Sequence, residues 1–355
     1  MFRKKPTRPV FIGNVQVGGG SSVVVQSMTN TDTRDVDATI DQINELTDVG
    51  CEVVRLAVPD LEAASSIRRI KAGVGIPVIA DIHFDYRLAL ESVKNGVDGL
   101  RINPGNVGQA SKVRAIVDSA RERSIPIRIG VNAGSLEGEL VEKYGVSARA
   151  MVESALKHVD ILDKLDYHEI KISVKASSVP LTIEAYRELS RVVDYPLHIG
   201  VTEAGTVRSG IVKSAVGIGT LLAEGIGDTI RVSLTGHPRH EITTAYSILS
   251  ALGLRRRGVE LISCPTCGRT RVDLIKIADE AEKRLSKMDL PIKVAVMGCV
   301  VNGPGEAREA DVGIAGGKGS GVIFRKGKVI RTVPEEDLVE ELLKEVEKLK
   351  LEVEG

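Results

Sequence analysis

The chain contains no tryptophan, and aromatic residues make up only 3% of its 355 positions. Platforms that stack single-stranded nucleic acid are built on aromatic side chains, so this scarcity speaks against them. Net charge is missing too: 48 Lys and Arg balance 48 Asp and Glu. A chain-wide basic field for nucleic acid is therefore absent, and any anion has to be met by a local cluster. No apolar run approaches the ~18 residues that suggest a membrane span. The basic opening, Met1 to Arg8, lacks the apolar core of a secretory signal, which predicts a cytoplasmic protein. Cysteine is scarce, with Cys51, Cys264, Cys267 and Cys299 alone. Without an export signal, paired cysteines point to metal or redox chemistry rather than a disulfide framework. At 43% hydrophobic and 27% charged residues, a chain of this length buries enough surface to fold without staples.

What is present is a regular alternation. Eight short β-branched runs occur at Ser22–Ser27, Glu52–Val58, Pro77–Ile82, Gly99–Ile102, Ile125–Val131, Glu169–Val174, Pro196–Val201 and Thr229–Leu234. Helical patterns such as Asp35–Val49, Asp60–Ile70 and Val179–Val192 separate them. Strands alternating with helices signal βαβ units on a parallel sheet. Eight such units fit an α/β protein with an N-terminal (β/α)8 TIM-type barrel; a doubly wound open sheet is the alternative. Val10–Val17, broken at Gly13-Asn14, predicts a hairpin closing one end of the barrel. After the helix Arg239–Leu252 the basic turn Arg255-Arg256-Arg257 marks a boundary, giving domains 1–255 and 256–355. The second is a smaller α/β unit, with strands expected at Glu260–Ser263, Lys293–Met297, Val312–Ile314, Gly321–Phe324 and Lys328–Thr332. Its helices are expected at Asp273–Lys287 and Pro334–Val353. The glycine-rich Gly316–Gly321 stretch lacks the spacing of a phosphate-binding P-loop and reads as a turn.

The ends of the barrel strands carry unusual charge: Arg55, Asp81 and His83, Arg101 and Asn103, Arg128 and Asn132, Lys171 and Lys175, His198 and Glu203, Arg231 and Ser233. Strand period is two, so Lys171, Ser173 and Lys175 share a face, as do Arg128 and Asn132, and Arg231 and Ser233. A charge inside an apolar strand costs several kcal/mol (roughly 3–5) unless it is paired or meets a ligand. Acids are too few here, so the surplus of Arg and Lys at the functional face of a barrel predicts a multiply charged anion, a phosphorylated or diphosphorylated small molecule.

Cys264-Pro265-Thr266-Cys267 and Met297-Gly298-Cys299 each follow a predicted strand, so both turns can meet at one sheet edge. Structural zinc normally wants four ligands, and the second Cys pair is missing. An iron–sulfur cluster can be held by three thiolates, with Glu306 on the Gly-Pro-Gly turn as the nearest acid. Spacing alone leaves the cluster, zinc and a redox thiol pair open. Cys51 reads as a small core residue.

Together CPTCGRT, MGCVVNGPGE, KISVKAS, HIGVTEAG and RINPGN resemble the 4-hydroxy-3-methylbut-2-enyl diphosphate synthase family, over essentially the whole chain and in its compact two-domain form. The resemblance implies a [4Fe–4S] cluster on Cys264, Cys267, Cys299 and Glu306. It implies reductive ring opening of 2-C-methylerythritol 2,4-cyclodiphosphate, with ferredoxin or flavodoxin as electron donor. It also implies a homodimer in which one subunit's cluster domain closes over its partner's barrel. Arg55, Arg101, Arg128, Asn132, Lys175, Arg231 and Ser233 would then cradle the cyclic diphosphate, with His83 and His198 beside it. The proton donor expected first is Glu203, then His83 or His198. On the residues alone, a pterin-type transferase barrel with a structural zinc domain and a zinc module binding nucleic acid remain the other readings.

Overall fold

In a computed structural model of the chain, the structure describes residues 4–286, 288–299 and 307–354. The chain divides into two compact units, Met1–Arg255 and Arg256–Gly355.

In the first unit, β1 (Val10–Ile12) and β2 (Val15–Val17) form a hairpin whose turn places Gly13 at φ 55°, a left-handed conformation that glycine adopts freely. Eight parallel strands follow: β3 (Val24–Met28), β4 (Val53–Ala57), β5 (Val78–Asp81), β6 (Gly99–Ile102), β7 (Ile127–Asn132), β8 (Ile170–Lys175), β9 (His198–Ile199) and β10 (Thr229–Ile230). Their order is β8-β7-β6-β5-β4-β3-β10-β9, and a parallel bridge from Ile172 to Leu197 joins the two ends of that list. The sheet is therefore a nearly closed barrel rather than an open doubly wound sheet. The outer helices are α1 (Val36–Asp48), α2 (Leu61–Gly73), α3 (Tyr86–Lys94), α4 (Pro104–Val107), α5 (Ala110–Glu122), α6 (Gly138–Tyr144), α7 (Ala148–Asp163), α8 (Val179–Val192), α9 (Val207–Ala223) and α10 (Arg239–Ala251). The side chains of Asp35, Asp60, Asp85, Ser147 and Ser178 each accept a first-turn backbone N–H, which fixes where five of these helices begin.

The period of two sorts the strand residues. Val25, Val54, Leu100, Ile129, Ile172, Ile199 and Ile230 belong to the large core shared with the helices. Val24, Val53 and Ile79 belong instead to a small cluster with Ile12 and Val17 of the hairpin. These three sit towards the N-terminal ends of their strands, so the hairpin plugs that end, as its position predicted. The seam between β8 and β9 is held by Tyr186, which is fully buried on α8. Its hydroxyl accepts from Val174 N (3.2 Å) and donates to the carbonyl of His198 (2.6 Å). This insertion explains why the seventh strand is shorter than Pro196–Val201: the hydroxyl occupies a place that a ladder bond would take.

In the second unit β11 (Glu260–Ser263), β12 (Lys293–Met297), β13 (Val312–Gly316), β14 (Ser320–Arg325) and β15 (Lys328–Pro334) form one sheet in that order. The first three are parallel and the last three antiparallel. α11 (Leu274–Leu285) and α12 (Leu338–Glu354) cover one face through Val294, Val296, Val312 and Ile314. The other face carries Ala295, Met297, Ala315 and Phe324. The last helix starts at Leu338 rather than Pro334, because Pro334 closes β15 and a 3-10 turn, Glu335–Asp337, intervenes.

Candidate functional site

At the C-terminal ends of the barrel strands lies a cavity of ≈ 160 Å³. Arg55, His83, Arg101, Arg128, Asn132, Lys175, Arg231 and Ser233 line it, together with Asp81, Ser173 and Thr202. Of the residues that the sequence nominates for substrate, only His198 is absent from this lining. It is fully buried in the barrel interior, with Nδ1 2.7 Å from Thr229 Oγ1. Lys171 is also below the cavity, so of the two lysines on β8 it is Lys175 that reaches the lining. Glu203 is exposed, has φ 51° and does not line the cavity.

The cations are held at a few points. Asp81 receives Arg55 at 3.4 Å and Arg101 at 3.2 Å, one on each oxygen. Arg101 also donates to the carbonyl of Gly130 (3.0 Å), and its Nη1 lies 3.3 Å from His83 Nδ1. Arg55 points two nitrogens at the sulfur of Met28, at 3.0 and 3.3 Å. Arg231 meets Glu241 of α10 at 3.3 Å; Glu241 also accepts from Ser27 Oγ (2.9 Å) and Leu234 N (3.1 Å). Arg128, though buried, has Nε and Nη1 without a hydrogen-bond partner among the described residues.

Six basic side chains (Arg55, Arg101, Arg128, Lys171, Lys175 and Arg231) thus gather around two carboxylates, Asp81 and Glu241, in the barrel and its mouth. The imbalance registers in their proton affinities. Burial, then repulsion from Arg231 and Arg101, brings Arg55 down to about 10 despite Asp81. Arg128 and Lys175 are driven well below their ordinary values by burial first and by neighbouring cations next. Burial pushes Asp81 up, but Arg55, Arg101 and Arg128 outweigh it and hold the carboxyl below its usual value. A bound dianion would reverse these costs, since guanidinium forks and ammonium groups are natural partners for phosphate oxygens.

Sequence reading missed Glu241 and two glycines. A Cβ on Gly130 would stand 2.6 Å from Arg101 Nε. One on Gly200 would stand 2.3 Å from the carbonyl oxygen of Arg231 and 2.8 Å from Lys175 Nζ. The period of two could have found both, since Gly130 lies between Arg128 and Asn132 and Gly200 lies two residues after His198. Glu241 has no such local signal, because its partners are on other elements.

In the second unit, the parallel register of β11 and β12 brings the Cys264 turn beside the Met297-Gly298-Cys299 turn. Gly298 N donates to Cys264 Sγ (3.2 Å), and Arg271 N donates to the carbonyl of Gly298 (3.0 Å). Cys267 is exposed, and hydrogen bonds from Arg269, first from its backbone, lower its thiol below the usual value. Cys299 is buried and Cys51 is a buried core thiol of the barrel unit. Among the described residues no three His, Cys, Asp or Glu side chains converge as a ready metal site. Glu306, the fourth expected ligand, lies outside the described residues. The donor set nevertheless suits a soft metal centre: thiols at two adjoining turns, one already accepting a backbone N–H, one lowered towards thiolate.

Two family descriptions match the chain: "GcpE TIM-barrel domain" over residues 7–246 and "GcpE protein C-terminal domain" over residues 260–348. A protein of Caldanaerobacter subterraneus subsp. tengcongensis named 4-hydroxy-3-methylbut-2-en-1-yl diphosphate synthase (flavodoxin) is 61% identical over 98% of this chain and 98% of its own length. One of the same name from Geobacter sulfurreducens is 62% identical, again over 98% of both chains. Among solved structures, the N-acetylneuraminic acid synthetase of Leptospira borgpetersenii serovar Hardjo-bovis is similar with a TM-score of 0.50 and 13% identity. It covers 70% of this chain and 90% of that one, a likeness of fold alone.

Proposed function

Since this chain belongs to the GcpE family, we propose that it is an oxidoreductase acting on 2-C-methylerythritol 2,4-cyclodiphosphate, with 4-hydroxy-3-methylbut-2-enyl diphosphate as product. The observation that carries the reading is the surplus of buried and half-buried cations around Asp81 and Glu241 at the barrel mouth. Arg55, Arg101, Arg128, Lys175 and Arg231 bind the diphosphate; Asn132 and Ser233 supply neutral hydrogen bonds. Asp81 and Glu241 keep the forks oriented. Burial of these groups excludes water and strengthens each contact with the anion.

Cys264, Cys267 and Cys299 would hold a [4Fe–4S] cluster, with Glu306 as the fourth ligand. When bound, such a cluster would supply the electrons that ring opening and loss of the hydroxyl as water consume. Flavodoxin, which the relatives' names carry, or ferredoxin is the reductant in this reading, and the enzyme is a homodimer. A proton must also reach the departing hydroxyl. His83 lines the cavity and stands 3.9 Å from Asp81, which favours it over Glu203 and His198 as the group nearest the substrate.

The test is anaerobic turnover of the cyclic diphosphate with reduced flavodoxin. Wild type is expected to release the allylic diphosphate, while Cys264→Ser loses both the product and the iron. Product formation by Cys264→Ser at the wild-type rate would refute the proposal.

A further inference from the structure

Beneath Arg128 of β7, which lines the cavity, the inward positions of four neighbouring strands are polar and buried: Lys171 on β8, His198 on β9, Thr229 on β10 and Gln26 on β3. Lys171 Nζ, His198 Nε2 and both amide atoms of Gln26 have no hydrogen-bond partner among the described residues. Lys171 is 2% exposed and faces Arg128 across the β7–β8 ladder. The charges acting on it are repulsive from Arg128 on β7 and Arg55 on β4, and attractive from Asp228 just before β10. His198 on β9 feels the repulsion of Lys171, and Lys175 stands four residues further along β8 on the same face. Asp228 is already engaged by Lys4 (2.9 Å), Thr7 Oγ1 (3.0 Å) and Leu197 N (2.9 Å).

A desolvated core cannot hold so many cations without a counter-ion, and a lysine gives up its proton far more readily than a guanidinium. Lys175 lines the cavity and meets a ligand directly; Lys171 does not. We propose that Lys171 is the proton-exchanging member of the cluster: a neutral amine when the cavity holds no anion, taking one proton from solvent when a diphosphate enters above it. The negative charge offsets Arg128 and Arg55 and removes the repulsion that kept the ammonium out. Burial, with Arg128 and Arg55 behind it, holds the group well below the ordinary lysine value, consistent with that role. The inference rests on the reading of the barrel mouth as an anion site.

Calorimetric titration of the anaerobically purified full chain with inorganic pyrophosphate, in buffers of different ionisation enthalpy between about pH 6 and 9, counts the protons taken up. Wild type is expected to show net uptake, and Lys171→Met to show up to about one proton less while still binding. Should Lys171→Met fail to fold by circular dichroism, Lys171→Arg, a permanent cation on a similar stem, is expected to lose the same increment. Equal uptake by wild type and a folded variant, or no uptake by wild type across that range, overturns the proposal. Failure of wild type to bind pyrophosphate at all is a separate result: it removes the anion site itself, and this inference with it.

Discussion

Asp81 receives Arg55 and Arg101 on its two oxygens while its side chain is only 7% exposed. Arg55, Arg101 and Arg128 hold its carboxyl below the usual carboxylate value against the effect of burial, so its stabilising contribution is present above the unfolded value and is lost as pH falls through the folded one. Asp81→Asn should therefore cost roughly 3–5 kcal/mol near neutral pH, the usual penalty for leaving buried charges unpaired. It should also flatten the fall in urea midpoint between about pH 5 and 2; an unchanged pH profile would remove Asp81 as the anchor. Gly200 makes a second claim at this scale. A methyl group there meets the backbone of Arg231, which no rotamer change relieves. Gly200→Ala should destabilise by about 1–3 kcal/mol and weaken pyrophosphate binding at least tenfold, or about 1.4 kcal/mol, as measured by calorimetry. The cationic residues were legible in the sequence because charge at a strand end is costly and therefore informative. Gly130 and Gly200 were legible only as inward places on predicted strands already carrying charge, since a glycine acts by leaving space; Glu241 left no local pattern, because its partners are on other elements.

At the scale of elements, the barrel closes where its ladder is thinnest, between β8 and β9. Tyr186 from α8 supplies both an acceptor and a donor to that seam. Tyr186→Phe leaves Val174 N and the His198 carbonyl without this partner in a dry core. A loss of about 1–3 kcal/mol is expected in denaturant unfolding, with Lys175 on the same strand and pyrophosphate affinity falling alongside. A change under about 0.5 kcal/mol would mean that the bridge between Ile172 and Leu197 suffices alone. Most elements were readable because strand and helix periods are distinct: Gly99–Ile102, Val179–Val192, Glu260–Ser263 and Lys293–Met297 have the expected bounds. The exceptions have tertiary causes. Residues 200–201 leave the ladder where Tyr186 and the crowded Arg231 backbone take over, and the last helix waits until β15 and its turn are complete.

At the scale of the whole molecule, zero net charge conceals a division of labour. The barrel unit concentrates cations at its mouth, while the second unit sets cysteine turns at the end of two parallel strands. Several salt bridges elsewhere join exposed partners, as in Arg187–Glu224 and Arg284–Glu340, and these add little to stability. In the function proposed above, these two features serve one iron-dependent reduction of a diphosphate. Its most direct test is the iron, zinc and acid-labile sulfide content of anaerobically purified protein. About four irons and four sulfides per chain are predicted, as a cubane held by Cys264, Cys267, Cys299 and one further ligand requires. Stoichiometric zinc with no sulfide would contradict the account and leave the barrel mouth as an anion site serving chemistry without electrons.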